Sequence, residues 1–119
     1  MTSFRMTQQA YLLLLALADG RQHGYGLAGR VREISDGDVS LGAGTLYGNL
    51  ERLLGAGLVA DAGEEIADGR ARRYYRLTDD GLRAARAETL RLAELAARGR
   101  AALGSLGASG ADGVVGGVA

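Results

Sequence analysis

The sequence contains no cysteine, no tryptophan and no lysine, and its single histidine is His23. Without cysteine the chain can form neither a disulfide nor a thiolate metal site, and it has no thiol nucleophile. A lone histidine also removes most metal sites that are built from several imidazoles. Any catalysis would rest on carboxylates and hydroxyls, and we predict that the protein is not an enzyme and uses no cofactor or metal.

The sequence also lacks a long hydrophobic run. The most apolar segment, Ala10 to Ala18, is far too short to cross a bilayer, which needs about 20 apolar residues. We therefore expect this segment to be a buried helix in a cytosolic protein that has no membrane partner.

The chain has no net charge, because 14 basic residues balance 14 acidic ones. This balance argues against a protein that coats nucleic acid indiscriminately, but it permits a site-specific binder with a local basic patch. At 119 residues the chain is one domain with a modest core, and we expect a partner subunit to supplement that core.

Hydrophobic periodicity predicts three helices in the first half of the chain. The first is apolar nearly all round, whereas the third has an apolar stripe and an opposite polar face. Their predicted positions are from the N-cap Thr7 to about Ala18, from Tyr25 to Ser35, and from Gly44 to Ala56, with Gly57 as the terminating residue.

A β-hairpin is predicted next, with strands at 58–65 and 72–77 joined by the polar connection 66–71. Alternation in the second strand puts Tyr75 and Leu77 on the core side. The arginines then lie at the hairpin tip and on its open face. The predicted fold class is mainly α with a small β-hairpin, that is, α+β.

The last predicted helix starts at the N-cap Thr78 and carries two aspartates in its first turn, where carboxylates favour the positive helix end. A rough heptad pattern leaves more apolar surface than one domain can cover, which predicts a dimerising helix. The residues assigned to the dimer seam are Leu82, Leu92, Ala96 and Leu103. The predicted organisation is a first domain at 1–78, a dimerisation helix at 79–103 and a mobile glycine-rich tail at 104–119.

Two glycine-rich motifs invite a nucleotide-binding interpretation. "GYGLAG" at 24–29 has the letters of the dinucleotide fingerprint, but a helix and not a strand precedes it. "GAGTLYG" at 42–48 lacks the Lys-Ser/Thr pair of a P-loop. The second motif better suits a helix N-terminus whose N–H groups at Gly44 and Thr45 face phosphates; the alternative is a simple tight turn.

We interpret His23 as a structural residue that hydrogen-bonds the backbone at the start of the second helix.

The order of these elements, three helices and then a basic hairpin, is that of a winged helix-turn-helix. In this arrangement the third helix enters the DNA major groove and the hairpin, or wing, lies against the flanking backbone. Arg70, Arg72 and Arg73 would then pair with phosphates. The alternative is a solvated hairpin whose charges protect an edge strand from aggregation.

Three segments, "LLLLALADGRQHGYGLAGRV", "VSLGAGTLYGNLERLLGAGLV" and "DGRARRYYRLTDDG", resemble the PadR family of bacterial transcriptional regulators over about residues 10–83. The resemblance implies a winged helix-turn-helix homodimer that binds a partly palindromic operator on double-stranded DNA. It also implies repression and release by a small hydrophobic ligand. By position, Gly44, Thr45 and Tyr47 correspond to the start of the family's recognition helix.

This chain departs from the family pattern at the groove-facing centre of the third helix, where Gly48 offers no side chain. Base reading then falls to Thr45, Asn49 and Arg52, with a contribution from DNA shape. Two other hypotheses remain open: a winged-helix module whose arginines bind an acidic protein partner, and a dimer cavity that carries a ligand.

Overall fold

The computed structural model describes residues 4–110 and contains four helices and three strands within them. The α+β fold class predicted from the sequence is confirmed. In chain order the elements are α1 (Gln8–Ala16), β1 (Gln22–His23), α2 (Gly24–Ile34), α3 (Ala43–Gly55), β2 (Val59–Ala67), β3 (Arg70–Leu77) and α4 (Asp79–Gly110).

Helix α1 forms the centre of the core. Its N-cap Thr7 accepts a hydrogen bond from the Ala10 N–H at 3.1 Å, as its sequence predicts. Three consecutive leucines of α1, Leu12 to Leu14, are buried on several sides of the helix, together with Leu27 of α2 and Leu50 of α3. The three helices therefore share one apolar core, and the long leucine run belongs to it.

The sheet has one more strand than the predicted hairpin. Its order is β1-β3-β2 and both pairings are antiparallel. The two-residue strand β1 pairs Gln22 with Tyr75 and His23 with Tyr74, in the segment between the first two predicted helices. A strand of two residues is too short to show alternation in the sequence. It is a strand only because it pairs with β3, which is distant in the sequence.

The two hairpin strands, with the turn between them, are called the wing below. The turn consists of Asp68 and Gly69 alone, with φ of 54° and 75°, as expected for an Asp-Gly type I′ turn that matches strand twist. The predicted connection 66–71 was too long, because its outer residues pair in the ladder. A bulge between Asp61 and Glu64 adds one residue to β2.

Helix α4 begins after Thr78, whose hydroxyl accepts from the Gly81 N–H at 2.9 Å and donates to the Gly57 carbonyl at 2.7 Å. The helix continues to Gly110, beyond the predicted end at 103. This last stretch has three glycines against one leucine and one alanine, so intrinsic helix propensity did not predict the extension. The rest of the predicted tail, 111–119, lies outside the described residues.

The chain divides into two compact units after Arg86, rather than at the predicted boundary of 78. Ala85, in the first part of α4, is 6% exposed and belongs to the core of the first unit. No helix in the described part of the chain combines the length and the apolar character needed to cross a membrane.

Candidate nucleic-acid interface

Helix α3 has two faces of opposite character. Leu46, Leu50 and Leu53 are buried in the core. The other face is exposed and carries the predicted contact residues Gly44, Thr45, Tyr47 and Arg52, together with Gly48. A Cβ atom built on Gly44 or on Gly48 meets nothing within 4 Å, so this face is open at both glycines.

The N-terminus of α3 is exposed and has no side-chain cap. Its N-cap is Gly42, whereas α1 is capped by Thr7 and α2 by His23. Residues 42–45 are exposed, so that the first-turn N–H groups are directed outward without a side-chain acceptor. Such a terminus is suited to an anion, as the sequence predicted for Gly44 and Thr45.

Asn49 does not have the exposure that base reading requires. Its side chain is on the buried side of α3, with 7% of the residue exposed. Its amide donates to the Thr45 carbonyl at 2.9 Å and its oxygen accepts from Arg52 Nη2 at 2.6 Å. We therefore correct the sequence prediction: Asn49 is a structural residue that orients Arg52.

Arg52 is exposed, but its guanidinium is held on two sides. Besides the hydrogen bond to Asn49, its Cζ lies 5.8 Å from the ring centroid of Phe4. This contact places the charge over an aromatic face, which favours a cation. Arg52 remains a candidate contact residue with a defined side-chain position.

A groove of about 230 Å³ separates α3 from the wing, and we call it the helix–wing groove. Its lining residues are His23, Gly24, Tyr25, Tyr47, Arg70, Ala71, Arg72 and Arg73. It brings the predicted recognition-helix residue Tyr47 beside all three predicted wing arginines. Its charged residues are all cationic, which suits an anionic ligand.

His23 is confirmed as a structural residue at the start of α2. Its Nδ1 accepts from the Gly26 N–H at 3.2 Å, and its ring meets Tyr74 edge-on at a centroid distance of 5.4 Å. The other nitrogen, Nε2, faces Arg72 Nη1 at 3.4 Å. Burial, and then the charge of Arg72, lower the pKa of His23.

The three wing arginines differ in what they contact. Arg70 is exposed and forms no ion pair within residues 4–110. Arg72 lies 4.0 Å from Asp68. Arg73 lies 2.9 Å from Asp61 and 3.9 Å from Glu64. The carboxylates of β2 therefore neutralise part of the positive charge of the wing arginines, which we predicted to contact DNA phosphates.

Arg21 supports the wing, a role that the sequence did not predict. It hydrogen-bonds the Ala62 carbonyl at 3.1 Å, forms an ion pair with Glu65 and lies 4.3 Å from the Tyr74 ring centroid. The guanidinium holds the pKa of the Glu65 carboxyl below its usual range. Arg21 thus ties the wing to the segment before α2; no local pattern in "DGRQHG" reveals this role, because both partners are more than 40 residues away.

The helix α4 beyond residue 86 carries exposed leucines. Leu95, Leu103 and Leu106 are 53%, 64% and 66% exposed, and Leu92 is half-buried. With Gly99 these residues follow one another at intervals of three or four, so they form one stripe along the helix. The predicted seam residues Leu92, Ala96 and Leu103 lie on or beside this stripe, and Leu82, in the first unit, is 38% exposed.

Residues 13–87 match the model of the Transcriptional regulator PadR-like family. The chain is 38% identical over 98 residues to the Transcriptional regulator Rv3488 of Mycobacterium tuberculosis, an alignment that covers 82% of this chain and 87% of that protein.

Solved structures share the fold. A PadR family transcription regulator from Clostridium difficile superimposes with a TM-score of 0.67 at 23% identity, covering 84% of this chain and 98% of the other. Bacillus subtilis PadR in complex with operator DNA superimposes with a TM-score of 0.62 at 22% identity, covering 71% and 48%. By the extent of the family match and its identity to the mycobacterial relative, this chain belongs to the PadR-like family of transcriptional regulators.

Proposed function

We propose that this regulator binds double-stranded DNA as a homodimer and acts as a repressor at a palindromic operator. The observation that carries the proposal is the open, uncapped start of α3 beside the arginine-lined helix–wing groove. Backbone N–H groups and arginines are the groups that proteins most often direct at DNA phosphates. A structural relative of this chain is a PadR in complex with operator DNA.

In this proposal α3 enters the major groove, with its N-terminal turn against the backbone. Gly44 supplies an N–H group, and the absence of a side chain at Gly48 lets the helix approach closely. Thr45, Tyr47 and Arg52 are the exposed side chains that can reach base edges or phosphates. With so few base contacts, part of the sequence preference would come from DNA shape.

The wing would contact the flanking backbone through Arg70, Arg72 and Arg73. Arg70 is the strongest candidate, because it has no ionic partner within residues 4–110. Arg72 and Arg73 would each exchange a carboxylate for a phosphate. These contacts supply affinity and orientation, and they carry no sequence information.

The exposed leucine stripe of α4 supports homodimerisation, since a large apolar stripe on an isolated helix is typical of a helix that pairs. A two-fold dimer would place two recognition helices at half-sites about one helical turn apart, roughly 10 base pairs.

We extend the proposal to release by a small hydrophobic ligand, which the family resemblance implies. Isothermal titration with flat aromatic compounds tests that extension, and a flat trace for every compound would contradict it.

Fluorescence anisotropy with labelled duplexes from the region upstream of the gene tests DNA binding. We expect salt-sensitive affinity that exceeds the affinity for random sequence. Replacing Arg70, Arg72 and Arg73 by alanine should weaken binding nearly uniformly across sequences and make the salt dependence shallower.

The control for this experiment is the triple variant Arg30→Ala, Arg83→Ala, Arg86→Ala, which removes the same charge outside the wing. It should weaken binding less than the wing variant. Equal weakening by the two variants, or no salt-sensitive binding by the unmodified protein, would contradict the proposal.

A further inference from the structure

We propose that Asp61 and Glu64 are specificity-determining residues that hold Arg73 in ion pairs which a DNA phosphate must displace. The inference rests on the DNA binding proposed above and assigns a role to the acidic strand of the wing. Through these two carboxylates, the wing would discriminate between a fully docked operator and a loosely bound random duplex.

Arg73 has both carboxylates within reach. Its Nη1 is 2.9 Å from Asp61 Oδ2 and its Nη2 is 3.9 Å from Glu64 Oε2. All three side chains are between 53% and 58% exposed. Pairs between exposed side chains are weak and are screened by salt, so a competing anion can displace them.

The strand register creates this arrangement. Glu64 lies directly opposite Arg73, and Asp61 lies opposite Tyr75, on the other side of the bulge. Opposite charges at directly facing positions attract, so the resting state of Arg73 is the paired one. The bulge itself is supported by Asp61, whose Oδ1 accepts from the Gly63 N–H at 2.8 Å.

Charge balance extends over the whole wing. Its four carboxylates, Asp61, Glu64, Glu65 and Asp68, equal in number its four arginines, Arg70, Arg72, Arg73 and Arg76. A wing that served only to attract phosphate would carry an excess of positive charge. The acidic strand instead reduces the long-range attraction of the wing and leaves its short-range contacts available.

The position of Arg73 gives this exchange a direction. Arg73 lines the helix–wing groove together with Tyr47 of α3, so a phosphate that occupies this groove lies beside the start of the recognition helix. Random DNA that docks loosely places no phosphate at a fixed position there, so Arg73 keeps its two carboxylates. An operator that seats α3 fixes a phosphate in the groove. That phosphate replaces the carboxylates, because it accepts strong charge-assisted hydrogen bonds from arginine.

The test is the double variant Asp61→Asn, Glu64→Gln, with affinity for operator and for random duplex measured by fluorescence anisotropy over a range of salt concentrations. Asparagine keeps an Oδ1 acceptor for the Gly63 N–H, so the bulge is preserved. We expect affinity for random duplex to rise about three- to tenfold, affinity for the operator to rise less, and the salt slope for random duplex to steepen by about 1. Thermal unfolding confirms that the variant is folded.

The chain contains a matched control in Asp19 and Glu33, which hold Arg30 at 2.7 Å and 3.3 Å in the same way outside the wing. The variant Asp19→Asn, Glu33→Gln changes the net charge equally and should leave the ratio of operator to random affinity unchanged. Equal effects of the two double variants would overturn the inference.

A second arm repeats the wing variant in an Arg73→Ala background. Since the carboxylates are proposed to act through Arg73, their removal should then change random-duplex affinity much less. An undiminished effect would mean general repulsion of DNA and would also overturn the inference. Absence of salt-sensitive binding by the unmodified protein is a separate result, because it refutes the proposed function itself.

Discussion

The phenol of Tyr47 lies against the backbone of Gly24, so closely that a Cβ atom on Gly24 would overlap the Tyr47 hydroxyl. Gly24 is the first residue of α2 and is buried, whereas Tyr47 is 50% exposed on α3. The contact joins α2 to α3, between two residues that are 23 positions apart in the sequence. It fixes one wall of the helix–wing groove beside α3.

Gly24→Ala should therefore destabilise the fold by about 0.5–1.5 kcal/mol, because the added methyl group forces the half-exposed Tyr47 side chain away from its rotamer. Urea unfolding measures this change. Gly29→Ala, in the same helix with nothing within 4 Å of its Cβ position, should instead stabilise by up to about 1 kcal/mol through helix propensity. If both alanines stabilise, the contact is not present in solution.

Gly81→Ala should be more damaging than a glycine replacement elsewhere in α4. A Cβ atom there would overlap the Leu58 carbonyl oxygen and come within 2.8 Å of Leu77 Cδ1, and the carbonyl belongs to backbone that cannot rotate away. We expect a loss of about 2–3 kcal/mol in the free energy of unfolding. Gly104→Ala, at an open position of α4 outside the leucine stripe, is the control; equal unfolding midpoints for the two variants would argue against this close approach.

His23 should make stability depend on pH. Burial and Arg72 lower its pKa in the folded state, so the unfolded chain binds the proton more readily. Protonation of His23 therefore costs no stability above the unfolded-state pKa of about 6.5. The free energy of unfolding decreases as pH falls from there toward the lower folded-state pKa. In His23→Asn the cap can still accept from Gly26, and the decline between pH 7 and 5 should be smaller in thermal melts. An unchanged pH profile in this variant would assign the dependence to other groups.

Asn49 and Thr45 should separate stability from DNA affinity. Asn49→Ala removes hydrogen bonds at a buried position and should destabilise by about 1 kcal/mol. Thr45→Ala changes an exposed residue and should leave unfolding within about 0.5 kcal/mol while weakening operator binding. Chemical unfolding and anisotropy on the same two variants check this; the reverse pattern would restore Asn49 as a base-reading residue.

Leu103→Glu should give a monomer, since a charge in a paired apolar stripe would be buried without a partner. Leu90, at 62% exposure, is a matched control for Leu103 at 64%, because thirteen residues of helix place the two on largely opposite sides. Sedimentation should show a dimer for Leu90→Glu and a monomer with reduced operator affinity for Leu103→Glu. A monomeric Leu90→Glu with a dimeric Leu103→Glu would put the seam on the other side of α4.

Local chemistry in the sequence determined the helices, the hairpin and the caps at Thr7 and Thr78, because periodicity and capping act over a few residues. It also placed Tyr75 in the core by simple alternation. The sequence did not predict the full length of the wing strands or the continuation of α4 to Gly110. The length of a strand depends on the partner strand with which it pairs, and a local pattern does not show that partner.

Tertiary structure decided which of the polar residues are available for contact. Asn49 and Arg52 occupy the same polar-looking face in the sequence, but packing buries the first and leaves the second exposed. The sequence alone shows no acidic partner for the arginines of β3, whereas the strand register places Glu64 opposite Arg73. The sequence by itself thus determined the four helices and the hairpin, whereas β1 forms only through its pairing with β3. Pairing between distant segments, whose electrostatics no local pattern encodes, determined which charges the molecule can offer to DNA.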